Sequence, residues 1–245
     1  MPTAVKILGC SWSPRHGNTE IQVQEALAAA AEIPGVTTEY YSIAGKRMLP
    51  CRSTYKCQDN PDREKLCQCY KPTADAFHEI AELVFDADGI IFGCPVYWMS
   101  VTSELKAFMD RSMAVEMLGL PWRNKAAGFV TNAWDRQGGH EHTIQTMASW
   151  AMMHDIIVVG VGPERPAKSI GGYTGAMALA GFPFPDESLD AIRQDEMGLY
   201  ATRCLAWRVV EMAKILKLGL GAIDQRELRW PKHQLEGGPD RPPTD

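Results

Sequence analysis

Val5-Lys6-Ile7-Leu8-Gly9-Cys10-Ser11-Trp12-Ser13-Pro14-Arg15-His16-Gly17-Asn18-Thr19 runs from an apolar strand pattern into a polar loop, and a helical pattern follows from Ile21 to Ala31. No acidic side chain occurs before Glu20. Ser11, Ser13, Asn18 and Thr19 offer short hydrogen-bonding groups, and Arg15 offers a fixed charge. The first N–H groups of the helix that begins near Asn18 add the positive end of its dipole. Ser and Asn also cap helices for purely local reasons. Five donors within nine residues favour a phosphate cradle over that simpler role.

Working outward, apolar runs bounded by turn residues recur at Gly89 to Phe92, Ala126 to Thr131 and Ile156 to Val161, as expected of strands buried on both faces. Thr37 to Ile43 is β-branched and aromatic with partial alternation, the pattern of a less buried strand near a sheet edge. Helical patterns lie between and after them at Ala74 to Phe85, Ser103 to Met113, Glu141 to Met153 and about Asp190 to Leu218. Five alternations of strand and helix predict an α/β fold: a doubly wound, five-stranded parallel sheet with helices on both faces and right-handed crossovers. The expected organisation is one domain over residues 1–220, with a cysteine-containing insertion at 50–72 and a tail at 221–245 whose Gly/Pro-rich end forms neither helix nor strand.

Ligands of such sheets bind beyond the carboxyl ends of the strands where crossovers diverge, which for the order 2-1-3-4-5 lies between strands one and three. The first of these loops lacks GxGxxG and GK[ST], so the pattern points to a mononucleotide. The loop after the third strand, Gly93-Cys94-Pro95-Val96-Tyr97-Trp98-Met99-Ser100, leaves the sheet with two adjacent aromatics that suit either the core or a flat ring system. After the fourth strand, Asn132 is followed by the Gly138-Gly139 turn, which admits a ligand to the backbone or simply makes a tight bend. Gly171-Gly172-Tyr173 is a weaker candidate of the same kind.

The chain has 245 residues and a formal net charge of −5, which supplies no basic surface for nucleic acid. No stretch reaches the ~20 apolar residues that span a bilayer, and no signal sequence opens the chain, so a cytoplasmic protein without membrane partners is expected. Seven cysteines is an odd number, and Cys10, Cys94 and Cys204 sit in apolar surroundings suited to reduced thiols. Of the six histidines, His140 and His142 flank Glu141 at a spacing that sends them to different sides of a helix, so no metal is assigned there; His16 and His78 read as surface residues.

In its Ser11 to Thr19 loop, in Pro95-Val96-Tyr97-Trp98 and in the helix Leu105 to Arg111, the chain resembles the NADPH-dependent FMN reductase and iron-sulfur flavoprotein group of flavodoxin-like proteins. The resemblance spans Val5 to about Leu218. It implies the flavodoxin-like order 2-1-3-4-5 and non-covalent FMN, with its phosphate on Ser11, Ser13, Arg15, Gly17, Asn18 and Thr19. The ring would lie against Pro95, Val96, Tyr97 and Trp98, with Asn132, Gly138 and Gly139 on the other flank. Homodimers or homotetramers that complete the flavin site across an interface are also implied.

Iron-sulfur flavoproteins are similar in carrying four clustered cysteines after the second strand, and Cys51, Cys57, Cys67 and Cys69 match that number. Their spacing does not match: Thr54 stands where a compact motif wants a cysteine, and Cys67-Gln68-Cys69 is an unusual pair for one cluster. Ordinary thiols are therefore expected, with metal ligands none. A flavin carries its own redox chemistry, so no catalytic acid or base is assigned. The expected activity is ping-pong transfer from NAD(P)H through FMN to a quinone, a flavin or a similar small acceptor. The alternative is an iron-sulfur flavoprotein-like carrier that relays electrons to a protein partner.

Overall fold

The computed structural model describes residues 3–162, 173–184 and 188–224, so the Gly171-Gly172 pair and the tail beyond Asp224 lie outside the described residues. Strands β1 (Val5–Ser11), β2 (Val36–Ser42), β3 (Gly89–Pro95), β4 (Ala126–Ala133) and β5 (Ile157–Val158) form a parallel sheet in the order β2-β1-β3-β4-β5. β1, β3 and β4 are almost wholly buried, whereas β2 is exposed along much of its length, as its edge position requires.

The period of two along β1 distributes its side chains between two cores. Leu8, Cys10 and Trp12 join Phe77, Phe92, Phe108, Trp122 and Trp150 beneath α3 (Phe77–Asp86), α4 (Ser103–Arg111) and α6 (His140–Met153) once the short α2 (Lys56–Asp59) is passed. Val5 and Ile7 face the other way, onto Val23, Ile91, Leu205 and Val209 under α1 (Asn18–Ala31) and the long α7 (Glu196–Ala222). A further short helix, α5 (Met113–Glu116), follows α4. No helix among the described residues is long and apolar enough to cross a membrane.

Two boundaries differ from the sequence reading. The fifth strand is not one run from Ile156 to Val161: only Ile157–Val158 pair with β4, at Ala126 and Ala127, and a later strand β6 (Ala176–Leu179) pairs in parallel with Val130 to Ala133. β6 reads Ala-Met-Ala-Leu, residues of high helix propensity that disguise a strand whose alanines are buried. The last long helix begins at Glu196 rather than near Asp190, because the Asp195 carboxylate accepts from the Gly198 N–H at 3.0 Å and caps it there. A 3₁₀ turn at Ala191–Gln194 occupies the difference.

Against Trp122 and Trp150 lies His154, itself buried. Its Nε2 is 2.8 Å from Ser112 Oγ, which also accepts from Trp150 Nε1 at 2.9 Å, while Nδ1 has no partner among the described residues. Burial pushes this imidazole down to about 4. An unfolded histidine takes up its proton near pH 6.5 but the folded one does not until about 4, so the stability this site contributes is intact above pH 6.5 and is lost as pH falls through that window. The full loss is about 3 kcal/mol. Urea midpoints between pH 7 and pH 4.5 should therefore fall more steeply for the native chain than for His154→Gln; equal slopes would contradict this account.

Candidate functional site

The crossover leaving β1 runs through α1 on one face, and the crossover leaving adjacent β3 runs through α4 on the other, so a crevice opens between their loops. It is a cleft of about 510 Å³, lined by Ser13, Arg15, His16, Asn18 and Thr19, by Pro95, Val96 and Tyr97, and by Asn132, Ala133, Trp134 and Ala180. Among the described residues no carboxylate lines it.

Position 17 sets the electrostatics at the floor. Gly17 is the N-cap of α1 at φ +135°, a conformation open to glycine, and no side chain caps the helix. A Cβ there would also lie 2.6 Å from the Leu189 carbonyl oxygen. The N–H of Ile21 is the first to find a helical acceptor, Gly17 O at 3.1 Å, so the N–H groups of Asn18, Thr19 and Glu20 have none among the described residues. Glu20, in the first turn, is turned onto Ser42 and His16. Burial alone would raise its pKa, but hydrogen bonds from Ser42 Oγ at 2.5 Å and His16 at 2.9 Å outweigh that and hold it below its ordinary value.

The loop's polar side chains divide into those that shape it and those left for a ligand. Ser13 Oγ donates to Arg15 O at 2.6 Å, which closes the turn. Asn18 Oδ1 accepts from the Ile192 N–H at 2.9 Å, so this side chain ties the loop to the segment before α7. Arg15 is exposed with no ion pair among the described residues, and the Thr19 hydroxyl gives its proton to no acceptor among them. Trp12 anchors the whole turn: its indole packs at 4.8 Å from Phe108 and 5.5 Å from Phe92, and its carbonyl accepts from Thr102 Oγ1.

Several expected site residues lie outside the lining. Ser11 points to the α1 face of β1 and is buried, its Oγ without a partner. Gly17 backs onto Leu189, and Gly139 backs onto Met99 with Gly138 against Ala133 and Asp135. Trp98 is 100% exposed at the tip of a tight turn, where it and Met99 both adopt left-handed φ values of 46° and 67°. Two such residues in succession, neither a glycine, mark backbone strain of the kind held at functional loops. Sequence reading missed Trp134 and Ala180. The Trp134 ring lies flat against Gly181, where a Cβ would come within 2.6 Å of it, and its signal was only that of an aromatic near the end of a strand. His140 is buried against the Ala178 carbonyl while His142 is exposed, so the two point apart; His16 is exposed, but His78 is half-buried with Nε2 2.8 Å from Leu66 O.

The profile of the NADPH-dependent FMN reductase family matches residues 5–162. The chain belongs to that family. It is 37% identical over 214 residues to an iron-sulfur flavoprotein of Methanocaldococcus jannaschii, a match covering 87% of this chain and 100% of that protein. It is 31% identical over 137 residues to an NAD(P)H dehydrogenase (quinone) of Archaeoglobus fulgidus, with 54% of this chain and 62% of the relative covered. In three dimensions it is similar to the flavodoxin, WrbA-like protein from Agrobacterium tumefaciens, with a TM-score of 0.55 at 20% identity over 86% of this chain and 99% of the other, a likeness of fold. This FMN reductase family member is therefore an FMN-dependent oxidoreductase with a flavodoxin-like fold. Its cleft fits FMN: an uncapped helix N-terminus, with a guanidinium unpaired and no lining carboxylate among the described residues, suits the phosphate, and Tyr97 and Trp134 supply aromatic walls.

The relative's name raises the question of an iron-sulfur cluster. All four cysteines of the 51–69 segment are free, and they neighbour one another: Cys69 is hydrogen-bonded to Cys67, and Cys57 faces Cys69 and Cys51. Cys67 is buried and accepts from Arg111 Nε at 3.1 Å, Cys69 lies 3.2 Å from the Thr54 hydroxyl, and Cys51 accepts from the Ser53 N–H at 3.4 Å. Burial raises the Cys67 pKa despite the opposing guanidinium, whereas at Cys69 hydrogen bonds led by Thr54 overcome burial and lower it. Among the described residues no three of these side chains close on one metal ion.

What holds the segment down is Arg111. Its guanidinium is buried, paired with the equally buried Asp75 carboxylate, bonded to the Leu49 carbonyl at 3.1 Å and stacked 4.3 Å over Phe77. Asp75 also accepts from the Leu49 N–H at 2.7 Å, so one ion pair fixes both ends of the excursion. Asp75→Ala leaves a buried cation unpaired and should cost about 3–5 kcal/mol in urea denaturation, with new protease cleavage between residues 50 and 72. A loss below about 1 kcal/mol would show that the pair is not the anchor.

Proposed function

We propose that this oxidoreductase passes reducing equivalents from NAD(P)H through FMN to a quinone, a flavin or a similar small acceptor in the cytoplasm. The observation that carries the reading is the cleft at the switch point, where unsatisfied N–H groups, Arg15 and Thr19 meet with no opposing carboxylate among the described residues. When bound, FMN supplies hydride and electron transfer by its own chemistry. The chain's part is to seat the phosphate through Arg15, Thr19 and the N–H groups at Asn18, with Ser11, Ser13 and Gly17 shaping the loop. Pro95, Val96, Tyr97 and Trp98 form one flank for the ring, and Asn132, Gly138 and Gly139, now with Trp134, the other. One domain over 1–220 with its insertion at 50–72 serves this purpose. The absence of a disulfide among the described residues, which include all seven cysteines, supports a reducing compartment.

Only one phosphate loop is visible, so donor and acceptor use the same cleft mouth in turn, which is a ping-pong scheme. Relay to a protein partner through a cluster is less favoured, because the spacing of Cys51, Cys57, Cys67 and Cys69 departs from a compact cluster motif. Exposed Trp98 and Met99 beside the cleft support a homodimer or homotetramer in which a second copy covers them.

Arg15→Ala should weaken FMN binding by about 1.5–3 kcal/mol, the usual scale of a charge-assisted contact, in a fluorescence titration of the apoprotein. Unchanged affinity would place the phosphate elsewhere. Anaerobic NADPH or NADH should bleach the visible flavin absorbance, and initial-rate plots with a quinone should give parallel lines; persistent colour, or intersecting lines, would overturn the donor or the ping-pong scheme respectively.

A further inference from the structure

From behind the cleft a chain of buried side-chain hydrogen bonds runs from α7 to Asn132 at the cleft wall, and every donor in it has one direction. Thr202 Oγ1 donates to the Gly198 carbonyl at 2.9 Å, so toward Gln22 it acts as an acceptor. Gln22, fully buried in α1, gives its two amide hydrogens to Thr202 Oγ1 at 3.1 Å and to the Thr131 carbonyl at 3.3 Å. A carbonyl can only accept, so the Gln22 amide has one orientation and its Oε1 must face Asn132. Asn132 then spends both amide hydrogens inward, on Gln22 Oε1 at 3.1 Å and on Thr19 Oγ1 at 3.0 Å. What remains for the cleft is the Asn132 Oδ1 acceptor and the Thr19 hydroxyl proton.

We infer that Gln22 is a positioning residue that sets the donor and acceptor pattern of the cleft, so that Thr19 is offered as a donor to an anion and Asn132 as an acceptor to a neighbouring hydroxyl or ring N–H. This rests on the FMN reading, and it deepens it: a ligand with a phosphate next to a polyhydroxyl chain meets a donor and then an acceptor in that order. Loss of Gln22 lets the Asn132 amide turn over and present N–H groups where an acceptor is needed.

The test is FMN titration of the full-length apoprotein. Gln22→Met, close in shape but without hydrogen bonds, should weaken FMN binding about tenfold, and Thr202→Val, which removes only the far anchor, about threefold. The double variant should match Gln22→Met, because both act through one relay and their effects do not multiply. A merely structural loosening would instead give the product, about thirtyfold. Native affinity in both single variants, or that multiplicative loss, overturns the inference. If Gln22→Met does not fold, an unchanged dissociation constant for Thr202→Val is sufficient to overturn it. Should the unaltered protein take up no FMN, the functional reading falls first and the inference with it; native uptake with insensitive variants removes the inference alone.

Discussion

The N-terminus of α1 is a helix end with nothing of its own to satisfy it, and the surrounding structure is arranged to keep it that way. A glycine at the N-cap removes the side chain that would ordinarily fold back onto the free N–H groups. Leu189 presses on the α-carbon of that glycine, so no larger residue fits. The carboxylate of Glu20, in the first turn, is turned to Ser42 and His16. Three oriented N–H groups and a helix dipole of about half a positive charge are thus reserved for an anion, which the β1 to α1 crossover holds beside the β3 loop.

That arrangement needs a rigid loop, and the rigidity comes from the opposite face of the sheet. Trp12 continues the alternation of Leu8 and Cys10, so its indole enters the aromatic core while Ser13, one residue on, reaches the cleft. Trp12 therefore holds the turn from below without entering the cofactor space. The same core holds Phe77 and, at its border, Arg111, whose pairing with Asp75 fastens the cysteine-bearing excursion to the domain. A buried ion pair is a costly way to gain stability, but it fixes position well, because neither charge has an alternative partner of comparable strength.

Most of the fold was legible because β1, β3 and β4 are short apolar runs with both faces covered, a pattern that few other structures produce. The edge was less legible: β6 pairs through alanines, and small apolar residues carry no strand preference of their own. For the site, Ser13, Arg15, Thr19, Pro95 to Tyr97 and Asn132 could be found because strand ends converge by topology alone. Which polar groups are free could not. Asn18 is committed to Ile192, a residue 174 positions away, and the packing of Trp134 on Gly181 depends on a loop with no periodic signal.

Affinity and selectivity in this cleft then come from different physical sources. Arg15 sits in water, where its charge attracts any anion and is screened by salt, so it adds binding strength without much choice of ligand. The Thr202, Gln22 and Asn132 series is dry, and a dry amide that meets the wrong partner loses a full hydrogen bond with no water to replace it. A ligand that carries a phosphate alone can satisfy the first element and not the second. Discrimination among anions therefore belongs to Asn132 as the buried Gln22 and Thr202 orient it, and the exposed arginine serves mainly to bring candidates to it.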